Sequence, residues 1–156
     1  MKKKTDDRNY KKRFEKGFKM LCSSKSTYQV WSDCMALFAI TLANQSILPM
    51  VKDKQFKEIW DKREKEYLRI INSYSKKEQK LFPQMFALIV EELEERPNQD
   101  LLGELYMMLQ IHNKNAGQFF TPYNVCEVMS KLTFDRKELG KTVHKKGYAN
   151  VYDPTC

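Results

Sequence analysis

Apolar residues recur at helical spacing over residues 10–22, which predicts a short amphipathic helix there. The residues that carry this spacing are Phe14, Phe18 and Leu21. Residues 26–29 have the spacing of a capping box and predict a second helix over residues 26–44. Its apolar residues cover more than one face, so we expect it to be the buried centre of a helical bundle. These residues are Val30, Trp31, Cys34, Met35, Leu37, Phe38 and Leu42. We interpret Asp33 as an acid that faces solvent or a cap.

A long amphipathic helix is predicted over residues 53–74, after a loop at residues 44–50. One side is apolar and the other carries charges of both signs, with ion pairs four residues apart such as Asp61 with Lys65. The apolar residues are Phe56, Ile59, Trp60, Tyr67, Ile70, Ile71 and Tyr74. The charged side is expected to face solvent.

A second capping box at residues 75–78 opens a further helix, which Pro83 must interrupt or kink because it has no backbone N–H. Its buried stripe is expected to be Met85, Leu88, Ile89 and Leu93. Its surface run is expected to be Glu91, Glu92, Glu94 and Glu95. Asn98 is the expected cap of a helix over residues 99–111, and Gly103 within it indicates a close approach of two helices.

Thr121 followed by Pro122 predicts a helix start, with threonine as the N-cap and proline at the first helical position. The apolar residues expected to be buried on this helix are Val125, Val128, Met129 and Leu132. Residues 134–146 are charged and predicted to be irregular, with a short helix over residues 136–140. Residues 149–153 have the pattern of a strand start.

Composition excludes several classes of protein. The chain has 156 residues, of which 42% are hydrophobic and 31% charged, and its five glycines favour a helical, soluble domain. No apolar run is long enough to cross a bilayer, and the basic start is not followed by the apolar block of a signal peptide. We therefore expect a cytoplasmic protein without a membrane partner. Four scattered cysteines and two histidines give no metal-ligand spacing, so no metal site is predicted.

The net charge of +8 is unevenly distributed. Residues 1–19 carry nine Lys or Arg against three acids, and residues 131–147 carry six against two. Residues 52–95 have ten of each sign. Two basic clusters around a neutral middle fit contact with a polyanion. The alternative is that these lysines are solvated surface and that residues 1–9 are a disordered basic tail.

Residues 117–122, Gly-Gln-Phe-Phe-Thr-Pro, combine two features that suit a ligand. Two aromatic side chains precede a helix start, and a helix N-terminus presents unpaired N–H groups and a partial positive charge. This combination favours a ligand with a flat ring and a carboxylate or phosphate.

The same segment, followed about 30 residues later by Asp-Pro-Thr-Cys at residues 153–156, resembles the amino-terminal motifs of the N6-adenine DNA methyltransferases. The pattern is similar to the modification subunits of type I restriction systems and to the solitary enzymes of phages and prophages. Residues 100–106 extend the resemblance backward, since the family often has Asp-x-Leu-Gly-x-x-Tyr before Gly-Gln-Phe-Phe-Thr-Pro.

The resemblance implies a mainly α fold: an N-terminal helical bundle, then the opening helix and first strand of a Rossmann-like α/β methyltransferase domain. The helical domain would occupy residues 10–112 and the start of the S-adenosylmethionine-binding domain residues 113–156. The residues implied to bind S-adenosyl-L-methionine are Gln118, Phe119, Phe120, Thr121, Pro122, Asp153, Pro154 and Cys156. Implied partners are double-stranded DNA and a specificity or nuclease subunit, and the amphipathic helices allow a homo-oligomer.

The sequence also departs from the family pattern. The glycines that follow Asp-Pro-x-Cys in the family, and the Asn/Asp-Pro-Pro-aromatic motif that receives the target adenine, do not occur in these residues. We therefore expect no catalytic residue in this chain and no methylation by the chain alone, which would be the front part of a longer enzyme or a remnant. The alternatives are a non-catalytic helical module that binds DNA or protein, and a plain all-α structural domain.

Overall fold

The computed structural model of the chain describes residues 8–111, 121–150 and 152. The chain divides into two compact units, Met1–Gly117 and Gln118–Cys156. The described part is helical and contains no strand. A mainly α fold is therefore confirmed, whereas the Rossmann-like strand stays a prediction.

The first unit is built from helices joined by short turns. Its helices are α1 (Arg8–Leu21), α2 (Thr27–Ile47), a 3₁₀ turn (Leu48–Met50), α3 (Lys54–Ile71), α4 (Lys76–Gln79), α5 (Leu81–Glu95) and α6 (Leu101–Met108). The main packing partners are α2 with α3, α1 with α5, and α2 with α5.

Both predicted capping sites in the first half of the chain are confirmed. The Ser26 hydroxyl accepts a hydrogen bond from the Gln29 amide at 3.2 Å at the start of α2. Ser75 and Glu78 form a reciprocal capping box at the start of α4. The helix is interrupted between α4 and α5, shortly before Pro83. The expected loop at residues 44–50 was wrong, because α2 continues to Ile47. Pro49 then lies in the first turn of the 3₁₀ segment, where a missing N–H costs nothing.

The core of the first unit gathers apolar side chains from all its longer helices, although α3 buries only Ile70 and Ile71 at its C-terminal end. Its most deeply buried side chains are Phe14, Phe18, Leu21, Val30, Cys34, Leu37, Met85, Leu101 and Leu105. Trp31 is partly buried against this core, between Phe18 and Tyr106, with ring centroids 6.4 and 5.7 Å away. The prediction that α2 is the central buried helix is confirmed for most of its apolar residues. Leu42, which is 59% exposed, is the exception.

Glu92 on α5 and Asp61 on α3 differ from the predictions made for them. Glu92, expected on the surface, is only 7% exposed, because it continues the buried stripe of α5 one turn beyond Leu88 and Ile89. Its carboxylate accepts hydrogen bonds from the Arg96 guanidinium and from the Gln99 side chain. On α3, Asp61 pairs with Lys57 on the preceding turn rather than with Lys65.

Helix α6 begins later than predicted, and the role of its glycine is different. Asp100, rather than Asn98, is the N-cap, and its carboxylate accepts from the Gly103 amide at 2.9 Å. A Cβ atom added at Gly103 would collide with that carboxylate. Gly103 therefore makes room for a cap within its own helix, whereas the expected close approach of two helices stays a prediction.

The second unit contains α7 (Tyr123–Thr133) and α8 (Arg136–Lys146) in its described residues. Residues 134–146 were predicted to be largely irregular, but Asp135 caps α8 by accepting from two amides, and the helix continues through Gly140. Gly147 ends it with a left-handed backbone, φ +80°, a conformation that glycine adopts without steric cost. Ala149, Asn150 and Tyr152 lie in no strand, and the remainder of the predicted strand start lies outside the described residues.

Candidate functional site

The start of α7 is the described part of the Gly-Gln-Phe-Phe-Thr-Pro segment. Pro122 has φ −55° and ψ 137°, an extended backbone, and the amides of Val125 and Cys126 donate to its carbonyl oxygen at 2.9 and 3.1 Å. Pro122 is therefore the N-cap residue, and the helix begins at Tyr123. The prediction of a helix start at this place is confirmed, but Thr121 as the N-cap was wrong, because α7 starts one residue later than expected.

The N-terminus of α7 has no side-chain cap among the described residues. No side chain of the described residues caps α7, and its first turn contains no acidic residue. Within the first turn, the Val125 amide donates to the Pro122 carbonyl oxygen, whereas no described carbonyl group or side chain accepts from the Tyr123 and Asn124 amides. These two amides are therefore available to an acceptor from outside. The partial positive charge of the helix end adds to the preference for a carboxylate or phosphate.

The apolar side of α7 is exposed, contrary to the prediction that this helix buries it. Val125 is 42% exposed, Val128 55%, Met129 58% and Leu132 83%. Periodicity placed these residues correctly on one face of a helix. Burial additionally requires a surface that covers this face, and the described helices of the second unit bury none of their residues.

The predicted cofactor-binding residues fall unevenly on the structure. Thr121 and Pro122 are described, and the Thr121 carbonyl oxygen lies 3.7 Å from the Cys126 sulfur, one helical turn further along the chain. The other predicted residues, Gln118, Phe119, Phe120, Asp153, Pro154 and Cys156, lie outside the described residues. The roles implied for all eight stay predictions.

A buried polar cluster in the first unit was missed by the sequence analysis. Asp33, expected to face solvent or a cap, is 6% exposed and accepts from the Tyr74 hydroxyl at 2.7 Å and from the Gln29 side-chain amide at 2.8 Å. The Lys25 ammonium lies 3.8 Å from the same carboxylate and 4.2 Å from the centre of the Tyr74 ring. Burial, and then the hydrogen bond to Asp33, raise the pKa of Tyr74 well above its ordinary value.

This Asp33 cluster is a structural connection between α2 and the turn after α3. The carboxylate is held by two neutral donors and one cation, so its charge is compensated where it is buried. The position of Asp33 along α2 could have predicted its burial. Asp33 lies on the same face of the helix as Val30 and Leu37, both of which are buried.

Further chemistry is limited in the described part of the chain. No group of three or more histidine, cysteine, aspartate or glutamate side chains there could hold a metal ion. No helix among the described residues has the length and apolar character needed to span a membrane. The described site is thus an open helix N-terminus behind a Thr-Pro pair, in a chain whose first unit is an all-helical domain.

The comparison with protein families found one family that part of the chain matches. Residues 96–156 match the family model of the N-6 DNA methylases. The match includes α6, α7, α8 and every residue that the resemblance implicated in cofactor binding. It supports a protein related to the DNA N6 methyltransferases. Comparisons with curated proteins and with solved structures gave no match.

Proposed function

We propose that this chain is the N-terminal portion of an S-adenosylmethionine-dependent DNA adenine-N6 methyltransferase of the restriction-modification or phage type. The observation that carries the proposal is that the family match and an open helix N-terminus occur at the same place in the chain. The family match covers a Phe-Thr-Pro segment that leads directly into the N-terminus of α7, which no side chain of the described residues caps. The motif alone marks a helix start, and the family alone does not require that helix end to be open to a ligand.

The residues present at α7 fit one end of the proposed cofactor. S-adenosylmethionine supplies an activated methyl group, and its amino-acid end carries a carboxylate. The Tyr123 and Asn124 amides of α7 are suited to donate to such an anion, and no acidic residue in that turn competes for them. By resemblance, Phe119 and Phe120 would contribute aromatic faces, while Asp153 to Cys156 would form the opposite side of the pocket.

The helical first unit would serve DNA or a partner subunit rather than chemistry. An enzyme that modifies a base must extrude it from the duplex and hold it in a pocket. The Asn/Asp-Pro-Pro-aromatic motif, which receives the target adenine in the family that the chain resembles, does not occur in these residues. We therefore infer that this chain alone is inactive, and that double-stranded DNA and a specificity or nuclease subunit are its partners.

Hydrogen exchange of the chain with and without S-adenosylmethionine tests the cofactor proposal. We expect the cofactor to protect amides in the first turns of α7 and to leave α3 unchanged. An Asn124→Asp variant places a carboxylate in that first turn and should weaken cofactor binding about two- to fivefold, the size of a helix-end charge effect. Asn72→Asp is the matched control, since it makes the same change of charge at the exposed end of α3.

Two results would contradict the proposal. One is an absence of protection in α7 at millimolar cofactor. The other is an equal loss of binding in the Asn124 and Asn72 variants, which would indicate a general charge effect instead of a site at α7.

A further inference from the structure

Helix α1 carries a row of exposed lysines opposite its buried face. Lys12, Lys16 and Lys19 are exposed and follow one another at intervals of four and three residues. At 3.6 residues per turn they fall within an arc of about 60°, pointing away from the core. The buried side of the same helix is formed by Tyr10, Phe14, Phe18 and Leu21. We name these three lysines the α1 lysine row.

The α1 lysine row stands on a firmly packed helix. Phe14 and Phe18 are at most 1% exposed, and a Cβ atom added at Gly17 would lie only 3.1 Å from the Met85 side chain of α5. The backbone positions of the three lysines are therefore fixed by the core. With a rise of 1.5 Å per residue, the row spans about 10 Å along the helix axis. That length matches about three phosphates of one DNA strand, which are spaced about 3.4 Å apart along the duplex axis.

Charge within the α1 lysine row is poorly compensated by the protein. Glu15 pairs with Lys19 at 2.6 Å, but in the described part of the chain Lys12 and Lys16 make no ion pair. Helix α3 provides the contrast, because its six Lys or Arg stand among four acidic residues, whereas the six of α1 stand with Glu15 alone. Uncompensated positive charge on an exposed, straight face attracts a polyanion.

We infer that the α1 lysine row binds the phosphate backbone of duplex DNA without regard to sequence. The choice of DNA as the polyanion rests on the proposed function. Lysine is a compact point charge that contacts phosphates, and phosphate contacts set affinity and position rather than sequence preference. A membrane surface is less suitable, because an interfacial helix must expose its apolar face and that face of α1 is buried in the core. An acidic helical peptide would need apolar anchors within the row, and the row contains none.

Binding of a labelled 20-base-pair duplex, measured by fluorescence anisotropy across a series of salt concentrations, tests the inference. The test variant combines Lys12→Gln, Lys16→Gln and Lys19→Gln. The control combines Lys54→Gln, Lys62→Gln and Lys65→Gln, three exposed lysines of α3. Each variant lowers the net charge from +8 by three, to +5. Far-ultraviolet circular dichroism establishes that both remain helical.

We expect the α1 variant to lose at least tenfold in affinity near 0.1 M salt. The slope of log K against log salt should also become shallower by about 2 to 3, since each lost phosphate contact contributes about 0.9. The control should change both quantities much less. A third variant, with arginine at the same three α1 positions, should retain binding because the charge is kept.

Equal losses in the two glutamine variants would overturn the inference, since net charge alone would then account for binding. Tighter binding of an acidic peptide than of the duplex would overturn it as well. The cofactor proposal is tested separately, because S-adenosylmethionine should protect α7 equally in the wild type and in the α1 variant. Loss of DNA binding in that variant without any cofactor protection would support the lysine row and contradict the proposed function.

Discussion

The two units of this chain differ in how they use the same kind of amphipathic helix. In the first unit, the apolar face of each longer helix contributes to a core whose central side chains are almost fully hidden. In the second unit, α7 and α8 have the same spacing of apolar residues but bury none of them. The family match lies mostly over the second unit. The residues that stabilise the fold and most of the residues that match the family therefore lie in different units, and each set must be tested in its own unit.

The sharpest test of this difference is a matched pair of leucine substitutions. Leu105→Ala on α6 removes a side chain that is 0% exposed, and we expect a loss of about 2–5 kcal/mol in the free energy of unfolding. Leu132→Ala on α7 removes one that is 83% exposed, and we expect a change of no more than about 0.5 kcal/mol. Urea denaturation followed by circular dichroism measures both. Comparable losses for the two variants would mean that the α7 face is covered in solution, and the comparison would fail.

A smaller effect is expected from the Asp33 cluster. Tyr74→Phe removes the hydroxyl that donates to the buried Asp33 carboxylate and should cost about 1–3 kcal/mol near neutral pH. Tyr28→Phe is the control, because Tyr28 is 66% exposed, and it should be close to neutral.

The same pair of variants gives a pH dependence with a defined sign. The pKa of Tyr74 is raised in the folded state, so above about pH 10 the unfolded chain loses this proton before the folded chain does. The wild type should therefore lose stability as pH rises past 10. Tyr74→Phe lacks this contribution, and its disadvantage should shrink. A disadvantage that stays constant from pH 8 to pH 11 would indicate that Tyr74 ionises normally in the folded protein.

Smaller effects are expected at Gly140, inside α8, and at Gly147, which follows its last residue. Gly140 is inside the helix with no atom within 4 Å of an added Cβ, so Gly140→Ala should stabilise α8 by about 0.5–1 kcal/mol. Gly147 has φ +80°, so Gly147→Ala should destabilise the end of the helix by about 1–2 kcal/mol locally. Hydrogen exchange of the α8 amides should move in opposite directions in the two variants. Changes in the same direction would contradict the helix boundaries described above.

Local rules predicted the elements of the first unit well where one signal acted alone. Phe14, Phe18 and Leu21 have no competing interpretation, and all three are buried. The Ser75–Glu78 capping box needs only local geometry and is present as expected. Asn98 and Asp100 are both good caps, and the tie between them cannot be resolved by residue type. The structure assigns the cap to Asp100, with Gly103 making the space for its carboxylate.

Buried charges were the systematic omission. Asp33 and Glu92 both occupy the buried phase of their helices, but a charged residue is assigned to the surface unless its partner can be named. Their donors, Tyr74 and Arg96, could not be named for different reasons. Tyr74 is 41 positions away from Asp33 and was assigned to an apolar stripe, whereas Arg96 is only one helical turn from Glu92 but lies at the end of α5, where no ion pair was predicted.

The candidate site was predicted in position but not in detail. A helix start at Thr121–Pro122 follows from local chemistry, and α7 begins within one residue of it. Which residue acts as the cap depends on the backbone angle ψ of Pro122. The proline ring fixes φ but allows both a helical and an extended ψ, so residue type alone does not decide. A cofactor pocket further requires residues from separated segments to meet, and no local pattern can predict that distance.

The cysteines of the described residues form a graded set of chemical reporters. Cys126 is exposed and lies one turn into α7, so it offers an attachment point for a fluorophore beside Thr121 in the folded protein. Cys22 is half-buried, and Cys34 is fully buried, with burial raising the pKa of its thiol far above the ordinary value. Because only the thiolate reacts, a thiol reagent should modify Cys126 first and Cys34 only when the first unit opens. The rate of Cys34 labelling would thus report the unfolding of the first unit, while a dye on Cys126 would test the cofactor binding proposed at α7.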